Sequence, residues 1–269
     1  MLSPSAKNEC LVITTCGLMV AAAFGLLGWW PLGVFALVVA VALLLFFRDP
    51  ERRIPSQRNA VVAPADGKVS SVHRVEHYAP FDGPAVCVRI FMSVFDVHIN
   101  RCPCHGKVAS VTPKPGRYRN TLNPEAAEDN ASNLTVLVHP VREHPVAAVR
   151  QVAGLLARTI CCTLQPGRVV QRGQRMGLIK LGSTTELYLP ESLQPRLTVA
   201  QGERVHAGSS VLGTVTPLRF ADGDDDFAES PLTVEGQAPA DVPAAVPEAA
   251  EPDEVTAFRP ASDRAAPSA

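Results

Sequence analysis

The chain has 269 residues, an apolar fraction of 46% and a charged fraction of 19%, a composition that excludes a wholly disordered protein. Its formal net charge of −1 hides two unlike parts. Residues 222–269 contain 12 acidic and 2 basic residues and carry a charge of −10, which leaves +9 for residues 1–221. A uniformly neutral soluble protein is therefore excluded.

The N-terminal part of the chain predicts a membrane anchor over residues 1–50. Residues 11–47 contain no charged side chain, and as one helix they would measure roughly 55 Å against a hydrocarbon core of roughly 30 Å. The sequence Gly-Trp-Trp-Pro-Leu-Gly at 28–33 combines helix-breaking residues with tryptophans, which favour the membrane interface. We expect two spans, about 11–28 and 32–47, joined by a tight turn. A single tilted span, or a signal peptide followed by a buried helix, is the alternative.

Basic residues follow the apolar run directly and predict its orientation. Arg48, Arg52 and Arg53 lie just beyond it, and arginine beside a span favours the cytoplasmic side. We therefore expect the body of the chain on the cytoplasmic side of the cell (inner) membrane. There the seven cysteines would be reduced thiols. Their spacing differs from that of common zinc sites, so we expect no metal.

Residues 51–221 predict a β domain. Short apolar runs such as 85–91 alternate with Gly, Pro and Asp, a pattern typical of strands. The sequence VAGLLARTICC at 152–162 is the helix candidate. Glycines recur in a similar order within 167–179 and 202–215, which suits a small barrel or sandwich. The predicted fold is mainly β (α+β), a β-barrel or sandwich with one or two helices behind a membrane helical hairpin.

The C-terminal residues 222–269 consist largely of Ala, Pro, Asp and Glu, with few large apolar side chains. Such a segment cannot bury enough surface to offset its ordering entropy. We predict a disordered acidic tail.

Three short motifs carry the candidate chemistry. They are PADGKV at 64–69, FDVHINRCP at 95–103 and MGLIKLGSTTELYLP at 176–190. Each alone is most often an ordinary turn or strand. In this order, with FFRDPER at 46–52 and VAGLLART at 152–159, the chain resembles the short-type, pyruvoyl-dependent phosphatidylserine decarboxylase proenzymes. The resemblance covers residues 30–216.

The resemblance implies a self-processing enzyme. The hydroxyl of Ser183 would attack the carbonyl of Gly182, and elimination from the resulting ester would cut the chain into 1–182 and 183–269, the second capped by a pyruvoyl group derived from Ser183. This cofactor would form a Schiff base with phosphatidylserine in the membrane and support its conversion to phosphatidylethanolamine and CO₂ in phospholipid biosynthesis. No nucleic acid is expected as a partner, and homo-oligomerisation is left open.

The same resemblance implies the site residues. His98 is the candidate base and Asp66 the group that would orient it, as in a Ser-His-Asp constellation. Arg101, Lys107 and Arg117 are candidates for holding the phosphate or carboxylate of the substrate. Long-type members of the family carry a second histidine where Arg101 stands, which leaves open whether His98 or another group is the base.

Two other functions stay open at this stage. A non-enzymatic, membrane-anchored lipoyl-like β-barrel module for binding or as an adaptor would share the glycine repeats, although neither repeat has a lysine at its turn. A related pyruvoyl enzyme acting on a soluble amino acid would share the Gly182–Ser183 bond. The predicted membrane spans favour a lipid substrate over a soluble one.

Overall fold

A computed structural model describes residues 7–57, 59–121, 123, 127–155, 159–179 and 183–216. The helices are α1 (Lys7–Leu26) and α2 (Trp30–Phe46), with 3₁₀ turns at Ala79–Phe81 and Glu191–Leu193. The strands are β1 (Ala60–Val62), β2 (Gly67–Tyr78), β3 (Gly83–Met92), β4 (Ile99–Arg101), β5 (Gly106–Lys114), β6 (Ser132–Val138), β7 (Pro145–Val152), β8 (Ile160–Cys162), β9 (Val169–Val170), β10 (Arg175–Ile179), β11 (Ser183–Pro190), β12 (Arg196–Leu197), β13 (Arg204–Val205) and β14 (Val211–Thr214). Gly182 and the predicted tail at 222–269 lie outside the described residues.

The predicted helical hairpin is confirmed, with α1 and α2 antiparallel. Gly28 in the turn has a φ of 75°, a left-handed conformation that favours glycine. A Cβ at Gly17 would lie 2.7 Å from the Cβ of Ala40, so small residues let the two helices approach closely. Most large apolar side chains of the hairpin are exposed. By length and composition α1 could cross a membrane, whereas α2 has 17 residues.

The remainder is mainly β, as predicted, and its strands form three antiparallel sheets. The largest has the order β13-β2-β3-β11-β7-β6-β5-β9, and the smaller sheets have the orders β4-β10-β8 and β1-β14-β12. One apolar core joins all three sheets, with Ile90 from the large sheet, Met176 from β10 and Leu212 from β14. This shared core brings β4 and β10 against the interior of the large sheet, where the candidate site lies.

The central strand β11 lies between β3 and β7, and all its residues are buried. Side chains of a strand alternate between its two faces. Leu187 and Leu189 therefore join the main core on the same face as Ser183, while Tyr188 packs with Cys87 in a second cluster on the opposite face. Ser183 is thus the first residue of a strand that is fixed on both sides.

The helix predicted over 152–162 is wrong in the described residues. Val152 ends β7, and Ile160–Cys162 forms β8, which pairs with β10. The segment is an apolar run without period-2 alternation, so its pattern cannot be told from that of a helix. Pairing with distant strands decides the structure of this segment.

Candidate active site

Ser183 is completely buried at the start of β11. Its Oγ lies 3.5 Å from the Sδ of Met92, the residue opposite it in β3. A thioether is a weak acceptor. Within the part of the chain that the structure describes, this hydroxyl therefore has a weak partner, which leaves its proton available to a base.

A chain of buried amides connects Ser183's surroundings to β4. The Oγ1 of Thr185 lies 3.5 Å from the same Met92 sulfur, and the Nδ2 of Asn100 donates to that Oγ1 at 3.1 Å. Gln151 donates through Nε2 to the Oδ1 of Asn100 at 2.8 Å, and Asn133 donates to Gln151 at 3.3 Å. Because such polar groups are costly to bury unpaired, this network fixes β4 against β11. Thr185 lies in the motif at 176–190, from which no role for it could be read, whereas Gln151 and Asn133 lie in no motif.

His98 lies just before β4 and is also completely buried. Its Nδ1 is 2.8 Å from the backbone oxygen of Asp96. Since a carbonyl only accepts, Nδ1–H is the donor, and Nε2 carries the lone pair of the neutral imidazole. The backbone oxygen of His98 accepts from the N–H of Ile179 at 3.2 Å, which places the histidine beside the segment that leads to Ser183.

Burial makes this histidine a neutral base. It lowers the pKa of His98 to about 4, an effect that the hydrogen bond to Asp96 partly opposes. The ring of Phe46, the last residue of α2, contributes to this burial, since its centroid lies 4.3 Å from that of His98. The hairpin therefore forms part of the wall around the candidate base.

The structure does not give Asp66 the orienting role predicted for it. Its carboxylate accepts from Arg52 Nη2 at 2.7 Å and from the N–H of Ala207 at 2.8 Å, and lies 3.3 Å from Nδ1 of His206. The group that orients His98 is instead the carbonyl of Asp96. The charge of Asp66 raises the pKa of the His98 imidazole.

Arg101, predicted to hold the substrate, has its guanidinium engaged inside the protein. Nη2 donates to Asp49 at 2.8 Å, and Nη1 donates to the backbone oxygen of Gly173 at 3.0 Å. Arg175 forms a second ion pair with Asp49. These contacts fasten the segment after α2 to the β domain. A permanently protonated arginine also cannot replace the second histidine of the long-type proteins as a base.

Lys107 and Arg117, the other two predicted substrate ligands, lie at different ends of the large sheet. Lys107 pairs with Glu143 at 2.7 Å and lies opposite Val138, the last residue of β6. The start of β11 is aligned with the opposite end of β6, at Ser132. Arg117 is exposed and bridges by its backbone to Asn130, whose side chain donates to Ala153 just after β7. Arg117 therefore lies toward the Ser183 end of the sheet.

The structure adds residues that the sequence prediction missed. Asp49 and Arg52 belong to the FFRDPER motif at 46–52, which was a usable signal although no role could be read from it. His206, half-exposed beside Asp66, lies in no recognised motif.

Comparison with known proteins covers the region that holds these residues. A family model described as phosphatidylserine decarboxylase matches residues 40–213. The phosphatidylserine decarboxylase proenzyme of Rhodopirellula baltica is 39% identical over 203 residues, which cover 76% of this chain and 83% of that protein. The proenzyme of the same name from Ralstonia pickettii is 42% identical over 197 residues, covering 72% and 86%. These matches support the enzyme prediction and give no support to a lipoyl-like binding module.

Proposed function

The chain belongs to the phosphatidylserine decarboxylase family, and on that premise we propose that it is a self-processing, pyruvoyl-dependent enzyme that forms phosphatidylethanolamine and CO₂ from phosphatidylserine. The observation that carries the proposal is the pairing of two buried groups. Ser183 is buried at the start of the central strand β11, and the buried, neutral His98 is hydrogen-bonded through its backbone to Ile179, the last residue of β10. The relatives are named proenzymes, which agrees with activation by cleavage.

Self-cleavage follows from the chemistry of these two side chains. Nε2 of His98 takes the proton of the Ser183 hydroxyl, and Oγ bonds to the carbonyl carbon of Gly182. The bond from that carbon to the Ser183 nitrogen then breaks, and the nitrogen takes the proton from His98, which leaves a free amine and an ester to Oγ. Loss of the Cα proton and of the ester oxygen from Cβ then releases residues 1–182 with a carboxylate end. Water replaces the nitrogen of the former serine, and ammonia leaves.

The surroundings of Ser183 fit a pyruvoyl group. β11 pairs with β3 from Ser183 to Pro190 and with β7 from Thr184 onward, so chain 183–269 keeps its position after the cut and stays bound to chain 1–182. The pyruvoyl group supplies the electron sink for decarboxylation. His98 would then return a proton to the carbon that loses CO₂.

A membrane anchor places this site near its lipid substrate. We infer that α1 and α2 form the anchor within residues 1–50, that residues 51–221 form the decarboxylase domain, and that 222–269 is an appendage. The arginines after α2 favour a cytoplasmic position for the domain. Arg117, exposed toward the Ser183 end of the sheet, is the remaining candidate for the lipid phosphate.

A serine substitution with a matched control tests the proposal. Ser183→Ala removes the attacking oxygen and should leave one folded chain of 28.7 kDa that forms no phosphatidylethanolamine in vesicles containing phosphatidylserine. The control is Ser71→Ala, because Ser71 lies 3.4 Å from the Nδ1 of His73 on the surface strand β2; it should be cut and active. Normal cleavage of Ser183→Ala would refute the mechanism.

A further inference from the structure

We propose that the turn between β3 and β4 inserts its apolar tip into the lipid bilayer beside α2, and so seats the active site against the membrane. This β3–β4 turn comprises residues 93–98. The inference rests on the proposed function only in treating the helical hairpin as a membrane anchor. The partner it requires is the hydrocarbon and headgroup boundary of a phospholipid bilayer.

The tip of the turn exposes large apolar side chains at the Ser183 end of the molecule. Phe95 is 82% exposed and Val94 38%. Leu155, 61% exposed, follows β7 at the same end, because β3 and β7 both end where β11 begins with Ser183. Single exposed apolar residues are common, but several at one edge beside a functional site mark an interaction surface.

The β3–β4 turn is braced so that Phe95 stays at its tip. Oδ2 of Asp96 accepts from both the N–H and the Oγ of Ser93, at 2.8 and 2.7 Å. Oδ1 of Asp96 accepts from Arg204 at 2.9 Å, and the N–H of Asp96 donates to the backbone oxygen of Ser93 at 3.0 Å. A turn held by four such hydrogen bonds presents its aromatic side chain without further ordering.

Arg48 connects this tip to the end of the membrane hairpin. Its Nη2 donates to the backbone oxygen of Phe95 at 2.5 Å, and its Nη1 donates to the backbone oxygen of Leu45 in α2 at 3.0 Å. Arginine at the end of a membrane helix lies at the interface, where aromatic side chains are also favoured. Phe95 is therefore held at the depth where α2 leaves the bilayer.

The seating has a consequence for the substrate. His98 follows Phe95 closely in the same turn and contacts Phe46 at the end of α2. The candidate base is thus connected to two elements at the membrane surface, the β3–β4 turn and the end of α2. A phospholipid headgroup could reach the site without its acyl chains leaving the bilayer.

Fluorescence quenching in vesicles tests the insertion directly. The chain has two tryptophans, so Trp29→Phe with Trp30→Phe gives a background free of indole. Phe95→Trp and Val141→Trp are then compared in phosphatidylcholine vesicles with and without bromine near the headgroup end of the acyl chains. Val141 is the matched control: it is also 82% exposed, but lies in the β6–β7 turn, roughly 25 Å away along β7 at about 3.3 Å per residue.

The expected result is quenching and a blue-shifted emission for Phe95→Trp and neither for Val141→Trp. An unquenched Phe95→Trp indole, or equal quenching at both positions, would overturn the proposal. This measurement needs no catalysis. A protein that formed no phosphatidylethanolamine would refute the proposed function and still report whether the turn enters the bilayer.

A kinetic comparison tests the seating of the site. Phe95→Ser should lower kcat/KM for phosphatidylserine in vesicles by roughly tenfold, the effect of one lost apolar anchor. Self-cleavage, and turnover of short-chain phosphatidylserine below its micelle concentration, should be unchanged. An equal loss with both substrates, or no loss with vesicles, would contradict the inference.

Discussion

The two faces of β11 are both buried, yet Glu186 on one face and Ser183 on the other are partnered in opposite ways. On one face, Glu186 accepts from Arg150 at 3.2 Å and from Tyr188 at 2.9 Å, and lies 3.4 Å from Nε of Arg89. On the other face, the hydroxyl of Ser183 meets only a thioether among its hydrogen-bond partners in the described residues. One face uses strong ionic partners to join strands, and the other leaves a reactive group weakly held.

The face of β11 that carries Glu186, called here the ionic face, also keeps its tyrosine and cysteine groups uncharged. Burial raises the pKa of Tyr188, and the ring stacks on Tyr78 with centroids 4.1 Å apart. Burial likewise raises the pKa of Cys87 to about 12. These groups therefore stay protonated around Glu186, and the contrast with the face of Ser183 is one of stability against reactivity.

The largest expected effect comes from breaking the ionic face. Glu186→Ala leaves the buried Arg89 and the partly buried Arg150 without their shared carboxylate, and it should lower the free energy of unfolding by about 3–5 kcal/mol. Glu76→Ala is the control, because the Glu76 side chain is 81% exposed beside Arg74, and it should cost less than about 1 kcal/mol. Urea unfolding in detergent, in the uncut Ser183→Ala background, measures both; equal losses would contradict the role given to Glu186.

The reactive face should reveal itself in the pH dependence of self-cleavage. With a pKa of about 4 for His98, the cleavage rate should stay constant through pH 6.5, the ordinary value for histidine, and fall only as the pH approaches 4. Burial is the main cause of this low pKa; the charge of Arg48 adds to it, while those of Asp96 and Asp66 oppose it. An acid limb centred near the ordinary value would contradict a buried neutral base.

The low pKa of His98 also affects the stability of the folded chain. As the pH falls from the ordinary value of about 6.5 toward 4, only the unfolded chain binds the proton, so the folded chain loses stability in that window.

Phe46→Ala admits water to the imidazole of His98 and should move the acid limb of cleavage to higher pH. An unchanged limb would mean that Phe46 does not help to bury His98.

A smaller effect is expected when the weak partner of Ser183 is exchanged. Met92→Gln puts a strong acceptor beside the hydroxyl, competes with the base and should slow self-cleavage by roughly tenfold. Met92→Leu removes the thioether at nearly constant volume and should stay within about threefold of the wild type. The cleavage half-life measures both, and equal slowing by the two substitutions would show that packing alone matters here.

The smallest effect is expected outside the β domain. Deletion of residues 223–269 should leave self-cleavage and phosphatidylethanolamine formation unchanged, because a segment of this composition contributes little buried apolar surface. Cleavage on gels and product formation in vesicles check this. Loss of either would mean that the tail contacts the domain.

Sequence patterns predicted the features that depend on neighbouring residues. The hairpin follows from the uncharged run and its Gly-Trp-Trp-Pro break, and Ser183 and His98 follow from their motifs. The contacts that the patterns did not predict involve distant partners. Asp49 and Arg101 are 52 positions apart, so no local pattern assigns their ion pair. The orienting group of His98 is a backbone carbonyl, which leaves no mark on the sequence.

Intact mass under denaturing conditions tests the central claim most directly. The account predicts two chains that part after Gly182, with the 183–269 chain lighter than a serine-started peptide by the mass of one ammonia. That difference records the replacement of the Ser183 amine by a ketone. A 183–269 chain with the full mass of an N-terminal serine, or an uncut chain in a preparation that decarboxylates phosphatidylserine, would contradict it.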